Sequence, residues 1–199
     1  QMEIFEQYFY DINQFGNLPG NSTEYSDMVG LIDEKLNVLR VTNTYTVNAG
    51  VFNISTITNM YKLGSIYNGI DEIEEINYNE YKLRRKSPLT DPQGSSAAAL
   101  GNYMYYIQDG NINMHPIISG PIEISYIRKP NKVVWGYVVL NEKALYNAGA
   151  AVDFDLHHAE ENELVYKILG YAGITLKKPD VIQSSGALEI AKVQQEKQG

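Results

Sequence analysis

Ile4, Phe5, Tyr8, Phe9, Ile12 and Phe15 recur three and four residues apart, the spacing that lines one face of a helix. The run 17–21, with Pro19 and Gly20, breaks that periodicity. Asn21 then stands where a capping side chain would, with Glu24 three residues on. Tyr25, Met28, Val29, Ile32, Leu36 and Leu39 form the apolar face of a second helix, in which Gly30 is a weak position. From about residue 43 the period changes. Residues 42–58 are dense in Thr, Val, Ile and Asn, which favour strands and turns. Residues 103–107 and 112–117 read as paired strands around Asp109-Gly110-Asn111, a tight-turn signal. Ile122, Ile124 and Tyr126 alternate with Glu123, Ser125 and Ile127 in a third strand, which Arg128, Lys129 and Pro130 end. Residues 133–140, with the single tryptophan Trp135, read as a fourth. The acidic run Asp71, Glu72, Glu74 and Glu75 reads as a polar segment ahead of a strand-like stretch, 76–81.

Helical patterning returns near the end. Val152, Phe154 and Leu156 alternate as a strand, and a helix is expected over about 159–171 with Leu164, Val165, Ile168 and Leu169 as its buried side. Glu160, Glu161 and Glu163 fill its first turn, where the macrodipole favours anions, and Gly173 is expected to stop it in the left-handed conformation. A last helix, about 179–197, starts at Pro179 and is almost wholly polar after Ile190, including Lys192, Gln194 and Gln195. Such a tail has no core of its own, so it is solvated or docks on a partner. Between 84 and 99 lies an irregular segment with Pro88, Pro92, Gly94, Ser95 and Ser96, of a length usually functional or mobile. The reading is one α+β domain, 1–199. It has a helical start (1–42), an antiparallel β-sheet body (43–156, with the loop 84–99), and C-terminal helices and arm (157–199).

Composition narrows the function classes. A chain of 199 residues can bury about 70% of its unfolded surface. Hydrophobic residues at 44% and charged ones at 20% exclude a disordered chain, and no apolar run approaches the ~20 residues of a membrane span. No signal peptide is expected at its start. The absence of cysteine excludes disulfides, thiolate zinc sites and a cysteine nucleophile. Sixteen Lys and Arg against 24 Asp and Glu give a net charge of -8, which argues against non-specific wrapping of nucleic acid. The 16 Tyr, beside 5 Phe and 1 Trp, offer apolar area with a polar tip, a profile of interfaces.

Chemical motifs are sparse. Asp153, Asp155, His157, His158, Glu160 and Glu161 form the most enzyme-like string, and His157 and Glu161 are spaced to share a helical face as metal ligands do. The spacing is not H-E-x-x-H, and the third histidine, His115, is distant; the plain reading is that Asp155 caps a helix with an acidic first turn. Ser95 and Ser96 lack the second glycine of a nucleophile elbow, and there is no phosphate-binding loop. Arg84, Arg85 and Lys86 form a dense basic cluster, with Arg128, Lys129 and Lys132 a second and Lys177 and Lys178 a third. They suit solvated turns, or contacts to phosphate or to a neighbouring subunit's acidic patch.

In order, the chain carries Asn79-Glu80-Tyr81, then Lys86-Ser87-Pro88 and Pro92, then the hairpin across Asp109-Gly110. Next come Ile124-Ser125-Tyr126-Ile127-Arg128-Lys129-Pro130, and an alternating strand feeding a helix, 152–169. With the opening helix and its Pro-Gly break, this resembles virion structural proteins of tailed bacteriophages of Bacteroides-type gut bacteria, the crAss-like phages among them. More narrowly, it resembles their head–tail connector (adaptor or ring) proteins. The resemblance spans nearly the whole chain; Y-I-R-K-P is its most distinctive motif, and none is a chemical signature.

That resemblance implies a non-enzymatic, cofactor-free homo-oligomeric ring, typically of about twelve subunits, within the virion at the head–tail interface. Its partners would be the portal protein, adjacent connector or tail proteins, and double-stranded DNA in passage, with no membrane. The loop 84–99, with Arg84, Arg85 and Lys86, and the tail, with Lys192 and Gln195, are the expected partner-gripping segments. Tyr103, Tyr105, Tyr106, Tyr126, Arg128 and Trp135 are the expected subunit contacts, because aromatic and Arg anchors dominate interface energetics. Asp71, Glu72, Glu74 and Glu75 would line a lumen that repels phosphate. The strand-rich middle departs from the largely helical adaptors of short-tailed phages, which leaves a tail-tube or tail-terminator ring as an alternative. A metal-dependent hydrolase working from Asp153, His157 and Glu161, and a carbohydrate-binding module, are the remaining ones.

Overall fold

A computed structural model describes residues 1–16, 22–87, 90–91 and 103–198. The chain divides into two compact units, Gln1–Leu39 with Pro130–Gly199, and Arg40–Lys129. The β-rich stretch thus begins close to where the periodicity changes. It closes earlier than 156, because the segment after Pro130 belongs with the helices. The expected break at 17–21 and the serines 95 and 96 lie outside the described residues.

In the unit Arg40–Lys129, strands β1 (Arg40–Val47), β2 (Val51–Asn53), β3 (Met60–Asn68), β4 (Asp71–Glu75), β5 (Met104–Gln108), β6 (Asn111–His115) and β7 (Gly120–Arg128) form one sheet. A short helix, α3 (Tyr78–Arg84), follows β4. The seven strands run in the order β1-β7-β3-β4-β5-β6-β2. The α+β class is as expected, but the sheet is mixed rather than antiparallel, because β4 and β5 pair in parallel through Glu74–Met104 and Glu75–Tyr105. The reason is α3, which carries the chain away from β4 so that it need not return as a hairpin.

The two outermost strands are consecutive in sequence. Asn48, Ala49 and Gly50 turn β1 into β2, with positive φ at Ala49 (52°) and Gly50 (73°). Gly50 donates to Ile118 O and accepts from Met114 N, both at 2.8 Å, which draws the sheet almost into a barrel. A Cβ at Gly50 would lie 2.9 Å from Met114 O, so glycine is required there. Alternate residues point inward: Ile122, Ile124 and Tyr126 of β7, Ile112 and Met114 of β6, Ile66 of β3 and Ile73 of β4 are buried together. Each such aliphatic contributes about 1.5–3 kcal/mol of burial.

Two local expectations exchange places here. Residues 71–75 are a strand, since Ile73 alone needs burial while its acidic neighbours reach solvent. Residues 78–84 are helical and bury only Tyr81. The turn at Asp109-Gly110 is as expected, with φ of 52° and 72°.

The other unit holds α1 (Met2–Gly16), α2 (Ser22–Asn37), a hairpin of β8 (Tyr137–Leu140) and β9 (Lys143–Tyr146), α4 (Glu161–Thr175) and α5 (Pro179–Gln198). Ile4, Phe5 and Tyr8 of α1 and Ile32 and Leu36 of α2 are buried, with Phe5 edge-on to Phe9 at 5.2 Å. Strand 133–140 is shorter than expected. Val134 makes only an isolated bridge to Val152, and 152–156 forms no strand. Helix α4 runs past Gly173 to Thr175, because that glycine is used for close packing: a Cβ would lie 3.0 Å from the Ile182 side chain on α5. The left-handed residue is Lys177 (φ 52°).

Candidate assembly interface

The inner side of α4 is charged. Glu160, 1% exposed, and Glu163 sit between Lys35 of α2 and Lys192 of α5; Lys192 Nζ lies 2.9 Å from Glu160 Oε2 and 3.2 Å from Glu163 Oε2, and Lys35 pairs with Glu160 Oε1. Lys167 bonds Glu189 (2.7 Å) and Glu3 (2.9 Å), and Tyr171 donates to Glu3 (2.8 Å). Burial alone would push the Glu160 carboxyl up; the two ammonium groups reverse this and hold it below the ordinary carboxylate range. Glu163 is pushed up by burial and by the neighbouring Glu160, against the pull of Lys192.

With Glu163, Lys167, Gly170 and Gly173 turned inward, the apolar stripe of α4 faces out. Val165, Ile168 and Leu169 are exposed, as is Leu176 just past the helix end, by 65%. The expected buried side of this helix is therefore corrected: of the four residues named, Leu164 is half-buried and the other three reach solvent. Gly170 and Gly173, three apart beside Glu163 and Lys167, are the sequence signal for that orientation, since small residues let α5 approach closely.

The β8–β9 hairpin is exposed on both faces. Its register pairs Tyr137 with Tyr146, Val138 with Leu145 and Val139 with Ala144, around a turn at Asn141-Glu142 with φ of 50° and 63°. Opposed residues share a face, so Tyr137, Val139 and Tyr146 lie on one side and Val138, Leu140 and Leu145 on the other. Trp135, 71% exposed, packs on Tyr146 at 5.1 Å beside an apolar cavity of about 440 Å³ that also involves Val134, Val152 and Phe154. Gly136 roots the hairpin. A Cβ there would lie 2.4 Å from Asn147 O, and Asn147 N donates to Gly136 O at 2.9 Å.

Of the expected subunit contacts, Trp135 alone is largely exposed. Tyr126 and Tyr105 are core residues: Asn43 donates to the Tyr126 hydroxyl at 3.1 Å, and Tyr105 donates to Glu75 at 3.2 Å. Burial raises both phenols above their ordinary range. Tyr103 packs partly against the same core, Tyr106 meets Tyr78 edge-on at 5.3 Å and Tyr81 at a tilt at 4.9 Å, and Arg128 is half-buried at the end of β7. Arg84 is engaged within its own unit by Glu74, in a two-pronged pair at 2.7 and 2.9 Å, and by Glu80. Arg85 and Lys86 are exposed. Lys192, expected on a free arm, is committed to Glu160 and Glu163, while the Gln195 side chain lies outside the described residues. The acidic run lies on β4. Glu72, Glu74 and Glu75, with Gly64, Ser65, Ile73 and Tyr105, line a cavity of about 400 Å³, and Arg84 holds the Glu74 carboxyl below its ordinary range.

The enzyme-like string does not converge. Asp155 accepts from Asn131 N at 2.9 Å rather than capping the helix, and His157 Nδ1 accepts from Ala159 N at 3.3 Å as the cap of a short 3-10 turn. Among the described residues no three His, Asp or Glu are gathered as metal ligands, and no helix is long and apolar enough to cross a membrane. His115 stacks on Tyr81 at 4.6 Å, its pKa lowered by burial and by Arg85. No protein-family model matches the chain, and no curated protein matches its sequence.

Proposed function

We propose that the chain is a structural subunit of a tailed-phage particle, a homo-oligomeric ring at the head–tail connector that joins portal to tail and surrounds the DNA exit channel. The observation that carries the reading is the outward apolar stripe of α4 together with the two-faced hairpin, apolar surface that an assembly would cover. The acidic run on β4 suits a wall beside DNA, because exposed carboxylates at Glu72 and Glu75 repel phosphate. A tail-tube or tail-terminator ring is the second reading, favoured by the strand-rich unit Arg40–Lys129. It would extend a sheet across subunits, whereas the outermost strands β1 and β2 are joined by their own turn, which leaves the connector reading ahead. The test is negative-stain microscopy of the purified protein with its portal. A ring coaxial with the portal is expected; a ring that stacks only on itself or on tail protein would replace the connector by the tail reading.

A further inference from the structure

Helix α3 follows β4 and packs on the face of the sheet opposite the main core. Register puts Glu74 of β4, Met104 of β5 and His115 of β6 on that face, since directly paired residues share a side. Their sequence neighbours Ile73, Tyr105 and Met114 belong to the main core on the other. Ile76, Tyr81 and Met104 form a small core of their own beneath α3, and Tyr106 packs against it. We infer that α3 is a strap held on this face by a neutral His115 ring, and that a proton on His115 releases it. The inference is independent of the ring reading.

The strap has few other attachments. A helix of seven residues is unstable by itself, and Tyr81 is the one residue that α3 buries. The Tyr81 ring stacks on His115 at 4.6 Å and lies 4.9 Å from Tyr106, which itself stacks on His115 at 5.7 Å. The second pin is the two-pronged pair of Arg84 with Glu74, at 2.7 and 2.9 Å, which is open to solvent.

The surroundings of His115 suit a neutral ring. Its Nδ1 is buried and has no hydrogen-bond partner among the described residues, so an imidazolium would bury a donor without an acceptor. The neighbouring elements supply no counter-charge. Strand β5 presents the Tyr106 phenol, and α3 presents Tyr78, Tyr81, Lys82 and Arg85, the last two cations. The carboxylates nearby, Glu74 of β4 and Glu80 of α3, are engaged by Arg84. Burial and the Arg85 cation lower the proton affinity of the ring. With α3 released, the ring returns to its ordinary value of 6.5, so a proton favours the open strap. Docking is therefore complete above 6.5 and is lost as pH falls through the lowered value.

Hydrogen exchange of the full chain, read by mass spectrometry from about pH 7.5 to about pH 5, tests the strap. Glu74, held below its ordinary 4.5, keeps its charge over that range, so the second pin stays closed. After correction for intrinsic rates, opening of 78–84 should increase up to about tenfold per pH unit below 6.5, while β7 stays protected. In His115→Phe, which keeps an aromatic ring but takes no proton, protection of 78–84 should be the same at every pH. A native α3 whose protection ignores pH overturns the strap. Equal pH dependence in His115→Phe overturns His115 as its trigger. Should that variant fail to fold, an NMR titration of the His115 ring in the native chain decides. A midpoint below 6.5 that coincides with the loss of protection is expected, and any other result overturns the proposal.

Discussion

Glu160 concentrates the residue-level energetics of the helical unit, because one buried carboxylate answers ammonium groups from two helices, Lys35 and Lys192. Breaking a buried pair strands the partner charges, so Glu160→Gln should cost about 3 kcal/mol, read as a lowered Tm. The pH dependence has a definite sign. A carboxyl held below its ordinary value binds its proton more weakly folded than unfolded. Its stabilisation is complete above the ordinary value of 4.5 and is lost as pH falls through the depressed value. Glu163, pushed the other way, loses stability as pH rises from 4.5 through its raised value. Thermal melts across the acid range should show the Glu160 loss in the native chain and its absence in Glu160→Gln.

At the scale of elements, the same kind of side chain has opposite worth in β7 and α4. Ile124, fully buried, should cost about 2–5 kcal/mol when changed to Ala. Ile168→Ala on the outward stripe should change the stability of the single chain by about 0.5 kcal/mol or less. Urea unfolding of both variants checks the pair of values; equal losses would mean that α4 turns its stripe inward. This contrast marks how far the sequence could be read. Periodicity located α4 and α5, and Asp109-Gly110 located its turn, because both signals are local. Which side of α4 faces its own chain depends on where Lys35 and Lys192 arrive, and the only local trace of that is the pair of small residues Gly170 and Gly173. Strand β4 was hidden for a related reason: its four carboxylates mask a strand that buries Ile73. Tyr105 and Tyr126 were legible as aromatic anchors but not as core, since a tyrosine whose hydroxyl finds Glu75 or Asn43 can be buried at little cost.

At the scale of the whole molecule, the division into units explains why the middle of the chain looked like a domain's body. Residues 40–129 form a compact unit with its own core, which is what independent folding requires. A polypeptide of residues 40–129 should therefore unfold cooperatively, with dispersed amide resonances; a collapsed spectrum would show that it depends on the flanking helices. Arg40 begins β1 opposite Ile127 of β7, two residues before the other boundary at Lys129. Departure and return thus share one doorway in the sheet. A segment with such a doorway can be spliced in or out of a gene at a single point with little disturbance to what surrounds it. Such a cassette can be replaced wholesale while the surfaces of the remaining helices and hairpin keep their own residues.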